Sequence, residues 1–447
     1  MITTSAEYKT KINSSYRQFE TKALVYFDGD DQSPVTFTGS DIFSVNLLEE
    51  SKADTGKIFG AVSANQIDMV FANKADRFSQ NNTGSAYYGK IRPDVKIEPY
   101  LGLKLSGGTE YIPLGVFWSG DWKTPSASLD ASVTCRDRMA KIIAMPLPML
   151  PVVFSTNVQA MFFVLFEALG LLPTEYYVDP ALTQAIDRGW YPSKTVGQVL
   201  NYLCEAGNCH VYADRYGKIQ VRKNVVSGSA VATLDDTYQI LTGDNPISYL
   251  DTFSSVRVKY KKPFVKAAAS MLKVDLTVPT GNSVLSPLTF SGGPLAVMDQ
   301  ANLTCSNDIT VQDISFGTWA MSLSLNNAGT EEIVTLEVLG KSLDMAGFEV
   351  QAVDATASYS REITIENNLI QSEAVATAYA AEILDFAKRP DNNFTFALNG
   401  DPSIELGDIL QIDAESINIS AKVMPYRISV SFSSDDFTYT MDARRVA

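Results

Sequence analysis

Two Gly-Asp pairs, Gly400-Asp401 and Gly407-Asp408, fall within the stretch GDPSIELGDILQID, residues 400–413. Carboxylates this close can form an acid/base pair, hold a cation or punctuate turns. Asp401, Glu405, Asp408 and Asp413 lack the dense alternation and the glycine position of an EF-hand loop. Ile404 and Leu406, then Ile409 and Ile412, read as apolar strand positions on either side of a turn. Gly407 suits a positive φ there, and Asp408 suits a bond to local backbone. The expectation is a hairpin whose acidic residues need no ligand.

The chain has one histidine, His210, and four cysteines, Cys135, Cys204, Cys209 and Cys305. Only CEAGNC places two thiols close together, and with His210 adjacent it resembles half a zinc site that lacks a second pair. The simpler reading is a helix end with one buried thiol. Neighbouring residues of a strand point to opposite faces, so Cys209 and His210 make a poor nucleophile and base. No G-x-S-x-G, H-E-x-x-H, Walker loop or dinucleotide fingerprint occurs. A glycosidase needs only two carboxylates, and that class stays open on inventory. No catalytic, cofactor-binding or metal-ligating residue is assigned, and no cofactor is expected.

The elements that would position these groups belong to a chain of 447 residues, 45% apolar and 19% charged, long enough for roughly two to four domains. Acidic residues outnumber basic ones 51 to 36, and the net charge of -15 repels phosphate backbones on average. The first residues contain no apolar stretch of signal-peptide length. The run IIAMPLPMLPVVF is broken by Pro146, Pro148 and Pro151 and is too short to span a bilayer. A soluble protein made in the cytoplasm, without membrane insertion, is the expectation.

Residues 23–140 read mostly as strands, among them VTFTGSDIFSVNLLEE in two pieces, VKIEPYLGLKL and IPLGVFWSGDW, closed by a short helix after ASVTCRD. Two helices follow. STNVQAMFFVLFEALGLLP has Ser155 or Thr156 as N-cap and Gly170 as stop, and TVGQVLNYLCEAG has a capping box of Thr195 with Gln198 and Gly207 as end. CHVYADRYGKIQVRK reads as two strands about a turn at 214–217. VRVKYK alternates as a strand. Residues 264–370, rich in Ser, Thr, Gly and Asn, offer strands in ISFGTWAMSLSL, EEIVTLEVLG and FEVQAVDATAS. SEAVATAYAAEILDFAKR is a helix with Val375, Tyr379, Ile383 and Phe386 on one face and Pro390 as terminator, and four β segments close the chain.

The tail NGDPSIELGDILQID with MPYRISVSFSSDDFTYTMDARRV resembles the closing β-domain of phage tail-hub proteins. IPLGVFWSGDW with ASVTCRDRMAKI resembles the end of their first barrel, and TVGQVLNYLCEAGNCHVYADRYGKIQVRK the unit between barrels. The resemblance implies a mainly β fold of two tail-tube-like barrels flanking a small α/β module, with an all-β insertion. The corresponding domains are 1–145 (first barrel), 146–235 (α/β module), 236–263 with 371–447 (second barrel), and 264–370 (insertion).

It also implies a non-enzymatic virion protein. The expected assembly is a homotrimeric baseplate or tail-tip hub that joins a sixfold tube to a threefold tip at the distal end of the tail. The implied partners are further copies of itself, a distal tail or tail-tube ring, a tape-measure protein, and spike or fibre proteins, with phage DNA passing transiently. The sequence stops at Ala447 just after the hub region, so host-surface binding and lysis are expected of other proteins. Two alternatives stay open: a receptor- or carbohydrate-binding tail protein, suggested by Trp319 and Tyr359 in the insertion, and a wall-degrading tail enzyme.

Overall fold

In the computed structural model, residues 1–51, 62–125, 129–192, 195–224, 228–236, 240–241, 247–248, 252–388, 393–433 and 436–446 are described. Strict alternation sets the main element. In Gln66–Ala72, for example, Ile67, Met69 and Phe71 are fully buried on one face, as a period of two requires. Such strands build a fourteen-stranded sheet. Its path runs Ile247–Ser248, Asn393–Leu398, Phe437–Val446, Ile419–Ser433, Ile42–Glu50, Gln66–Ala72, Asp130–Asp137, Phe117–Lys123, Lys96–Leu105, Phe19–Tyr26, Val35–Thr38. Ala232–Asp235 and Leu410–Ala414 branch off beside Ile419–Ser433, and Gly108–Pro113 beside Lys96–Leu105.

The two β regions expected on either side of the α/β module therefore meet edge to edge. Ile419–Ser433 pairs antiparallel with Ile42–Glu50, from Arg427 opposite Glu50 to Ser433 opposite Ser44. One apolar core runs through both regions, from Val25, Phe37 and Phe71 to Phe396, Ile428 and Met441.

The intervening unit holds the helices Val158–Ala168 and Val196–Gly207 over a small sheet, in which Ile219–Lys223 pairs antiparallel with Cys209–Ala213 and parallel with Tyr176–Val178. The Thr195–Gln198 capping box is present. Two boundaries differ from the sequence reading. The first helix is capped by Asn157, whose side chain accepts from the Ala160 N–H, because Ser155 and Thr156 still belong to the strand Val153–Asn157. The second ends on Asn208 in the left-handed region at φ 46, not on Gly207. Gly207 is the last helical residue, and a Cβ there would lie 2.9 Å from Val158, so it serves the close approach of the two helices.

Ser255–Val265, which contains VRVKYK, was expected beside the closing strands. It pairs instead with Glu332–Val353 and with Glu362–Glu366. Alternation identifies a strand but not its partner. The helix Glu373–Ala387, capped by Ser372, covers this sheet, so Val256, Val258 and Tyr260 pack with Tyr379, Ala380 and Ile383. Of the expected face Tyr379 and Ile383 are buried, and Val375 and Phe386 are half-buried; Ala376, Ala380, Leu384 and Ala387 complete it, and Pro390 lies outside the described residues.

The 264–370 region holds two facing three-stranded sheets. Ala269–Val278 and Leu295–Thr304 flank the first half of Glu332–Val353, opposite Gly281–Thr289, Ala320–Asn327 and Ile309–Phe316. They enclose a core of their own, with Leu323 and Leu325 against Val334, Leu336 and Val338. ISFGTWAMSLSL splits into two strands at Gly317, whereas EEIVTLEVLG and FEVQAVDATAS fuse into one. No helix among the described residues is long and apolar enough to cross a membrane.

Candidate functional site

The stretch 400–413 is not a hairpin. The strands before and after it do not pair with each other, since Asn393–Leu398 pairs with Phe437–Val446 and Leu410–Ala414 with Ile419–Ser433 and Ala232–Asp235. Residues 399–409 form instead a connector with two turns, and both glycines take positive φ, 84° at Gly400 and 82° at Gly407. Asp401 accepts from the Ser403 N–H at 2.9 Å, the Ser403 hydroxyl at 2.8 Å and the Tyr8 hydroxyl at 3.2 Å. Asp408 accepts from the Glu405 N–H at 2.7 Å, and its other oxygen contacts the Met1 nitrogen. Both acids hold turns, as Asx residues do.

The connector wraps around an arginine from another part of the chain. Arg215 sits in the turn between Cys209–Ala213 and Ile219–Lys223 and is 2% exposed. Its Nε and Nη2 donate to the two oxygens of Glu49 at 2.9 and 2.6 Å; Nη2 also donates to the Ile404 carbonyl at 3.0 Å and Nη1 to that of Pro402. Burial disfavours the guanidinium charge, but the Glu49 carboxylate and its hydrogen bonds outweigh it and push the pKa up. A planar fork facing a carboxylate is the geometry that makes a buried pair tolerable. One side chain thus joins the first β region, the α/β unit and the closing β region.

His210 lies on the same hairpin, its ring stacked on Tyr212 at 5.6 Å and 15°. Its Nδ1 is 3.0 Å from the Asn224 side-chain oxygen, which also accepts from Arg444. Because that oxygen is an acceptor for both, the imidazole proton is assigned to Nδ1. Asn224 donates on to Asn208 at 2.8 Å, and Asn208 to Glu382 at 2.8 Å. Burial, then the Arg444 charge, lowers the His210 pKa to about 3, so the ring is neutral at physiological pH.

Cys209 turns the other way, into the apolar core with Cys204. Burial, with Cys204 as its hydrogen-bond neighbour, pushes the Cys209 thiol well up, away from the reactive thiolate. Among the described residues no three His, Cys, Asp or Glu side chains converge to hold a metal.

These elements enclose a cleft of about 390 Å³ whose wall includes Asp179, His210, Arg222, Glu405 and Asp408. Its lining mixes apolar side chains with charged ones of both signs. Trp319, a candidate sugar platform, faces inward: its indole N–H donates to the Tyr191 carbonyl at 2.7 Å and its ring meets Trp190 edge-on at 5.6 Å. Tyr359 is 39% exposed on a loop. No local pattern marks Glu49, Arg215 or Arg444. Their partners are far away in sequence, 166 residues for Arg215 with Glu49 and 220 for Arg444 with Asn224.

No family profile matches the sequence, and neither does any curated protein. Solved structures do. The 43 kDa tail protein of prophage MuSo2 from Shewanella oneidensis is similar over 95% of this chain and 98% of its own, with TM-score 0.52 and 10% identity. The tail protein from Neisseria meningitidis MC58 is similar over 96% of both chains, with TM-score 0.54 and 12% identity. The chain has the fold of phage tail proteins. At such identities the tail-protein fold is shared as a course of backbone, while side chains differ at most positions. The likeness extends over the 264–370 region, which the sequence resemblance left out.

Proposed function

We propose that the chain is a structural protein of a phage tail, without catalytic activity, that forms a trimeric hub at the distal end. The observation that carries this reading is the end-to-end likeness to two tail proteins. The Arg215 junction supports a mechanical role, because four of the five guanidinium N–H groups are spent on the chain's own backbone and on Glu49, and the side chain is buried. In this role the 1–145 and closing β regions would act as the two ring-forming units per subunit, so that three chains present six units to a sixfold tube and three to the tip. The tube ring, the tape-measure protein and spike or fibre proteins would then be neighbours, and DNA would pass through the opening. The acidic balance favours a channel that does not retain DNA. Cryo-electron microscopy of the particle tests the reading: three copies around the tail axis at the distal end are expected, and sixfold or single-copy density would sink it.

A further inference from the structure

The sandwich at 269–342 is attached to the rest of the chain in two unequal ways. One is a ribbon, Ser255–Val265 against the second half of Glu332–Val353, in register from Ser255 opposite Val353 to Val265 opposite Leu343. Glu332–Val353 runs unbroken from the sandwich into this ribbon, but on the other side exposed residues 266–268 interrupt the strand. The other, among the described residues, is the turn 317–319, with Ala296 of the strand Leu295–Thr304 packed beside it. Thr318 donates its N–H at 2.6 Å and its hydroxyl at 2.7 Å to the Leu150 carbonyl, and Trp319 donates to that of Tyr191 at 2.7 Å. Gly317 permits the approach, since a Cβ there would lie 3.1 Å from Met149. Beneath the turn, Val152, Trp190 and Leu343 are buried with Trp319 and Met345, and beside it a cleft of about 510 Å³ separates residues 146–150 from Pro287 and Thr289.

One group in this contact is badly placed. The Trp190 indole N–H is buried, and among the described residues it has no acceptor. A buried donor without a partner opposes the closed arrangement, because water would satisfy it on opening. Each side has a core of its own.

We propose that the sandwich is a hinged arm, clasped shut by the Thr318–Trp319 turn and opened by bending of the ribbon near 266–268. Opening separates Thr318 from Leu150 and Trp319 from Tyr191, uncovers Val152, Trp190 and Leu343, and leaves both cores intact. The closed state is held by few groups, so a modest competing interaction at the cleft suffices to shift the balance.

Pulsed electron–electron distance measurement tests this with nitroxides at Val311→Cys on the sandwich and Leu172→Cys on the α/β unit, both exposed positions. The background is the full chain with Cys305→Ser. The parent should give one dominant distance, and the double variant Thr318→Val/Trp319→Ala a second, longer one with a severalfold larger open fraction. Amide exchange at Leu323 and Leu336 should stay slow in that variant. Adding Trp190→Phe, which keeps an apolar ring and removes the orphan N–H, should lower the open fraction. A single unchanged distance in the clasp variant, loss of protection at Leu323 and Leu336, or an open fraction that Trp190→Phe leaves unchanged or raises would each overturn the hinge.

Discussion

Arg215 and Glu49, 166 positions apart, face each other through two hydrogen bonds of 2.9 and 2.6 Å, and both side chains are buried. Such a pair adds little net stability over an apolar pair of similar size. Here it fixes the α/β hairpin against the Ile42–Glu50 strand, and the remaining donors fix the 400–409 connector over both.

Removing one partner leaves the other charge buried. Arg215→Met and Glu49→Leu should each destabilise the protein by about 3–5 kcal/mol, while the double variant, with no charge left, should recover a good part of the loss. Denaturant unfolding of the four proteins forms a double-mutant cycle. Single variants within about 1 kcal/mol of the parent would mean that water reaches the pair.

The two positive-φ glycines of the connector should differ in sensitivity. A Cβ at Gly400 would lie 2.7 Å from Phe437 and Tyr439, whereas at Gly407 the nearest neighbour is the Tyr212 hydroxyl at 3.3 Å. Gly407→Ala should cost about 1 kcal/mol for the backbone alone, and Gly400→Ala distinctly more. Asp408→Asn should cost less than either, because an amide oxygen still accepts from the Glu405 N–H and only the contact with the Met1 nitrogen is lost. Thermal melts rank the three, and the reverse order would contradict the turn assignments.

His210 makes stability depend on acid. Its folded pKa of about 3 lies below the unfolded value near 6.5. On acidification the unfolded chain therefore takes up a proton that the folded chain refuses. The stabilisation is fully present above pH ~6.5 and is lost as pH falls toward ~3, at up to about 1.4 kcal/mol per unit. His210→Gln should flatten the fall. With one histidine in the chain, a single imidazole NMR signal reports the titration directly, and a midpoint near 6.5 would show the ring to be accessible.

The sandwich should be removable. Val265 and Leu343 are opposite each other in register, so replacing 266–342 by an Asn-Gly turn closes the ribbon as an ordinary hairpin. The shortened chain should keep its β-rich circular dichroism and protease resistance, with some loss of stability where Trp190 and Leu343 lose their cover. Failure of the large sheet to form would show that the sandwich is integral to it.

What was legible in the sequence was local. The capping box at Thr195, the hairpin turn at 214–217 and most strands of the large sheet, though not Gln66–Ala72 or Ala232–Asp235, are read from alternation and from residues with fixed conformational preferences. Partnership was not legible. VRVKYK reads equally well beside either set of strands, and the strands Ala269–Val278 and Gly281–Thr289 are too polar on their exposed faces to stand out from a loop. Arg215 is the sharpest case. An arginine in a DRYG turn reads as a solvated tip, and only the fold, by bringing Glu49 and the connector onto it, makes it interior.

The pairing of Ile42–Glu50 with Ile419–Ser433 also sets an order of events in synthesis. The first of these strands emerges early and finds Gln66–Ala72 on one side, yet its other edge has no native partner until nearly the whole chain has been made. For that interval the nascent protein carries an open row of N–H and carbonyl groups, the kind of edge on which unfinished chains join each other. Slow, long-range closure of this kind exposes the chain most when translation outpaces folding. A host that supplies a holding chaperone, or a lower growth temperature, should therefore raise the soluble yield of this protein.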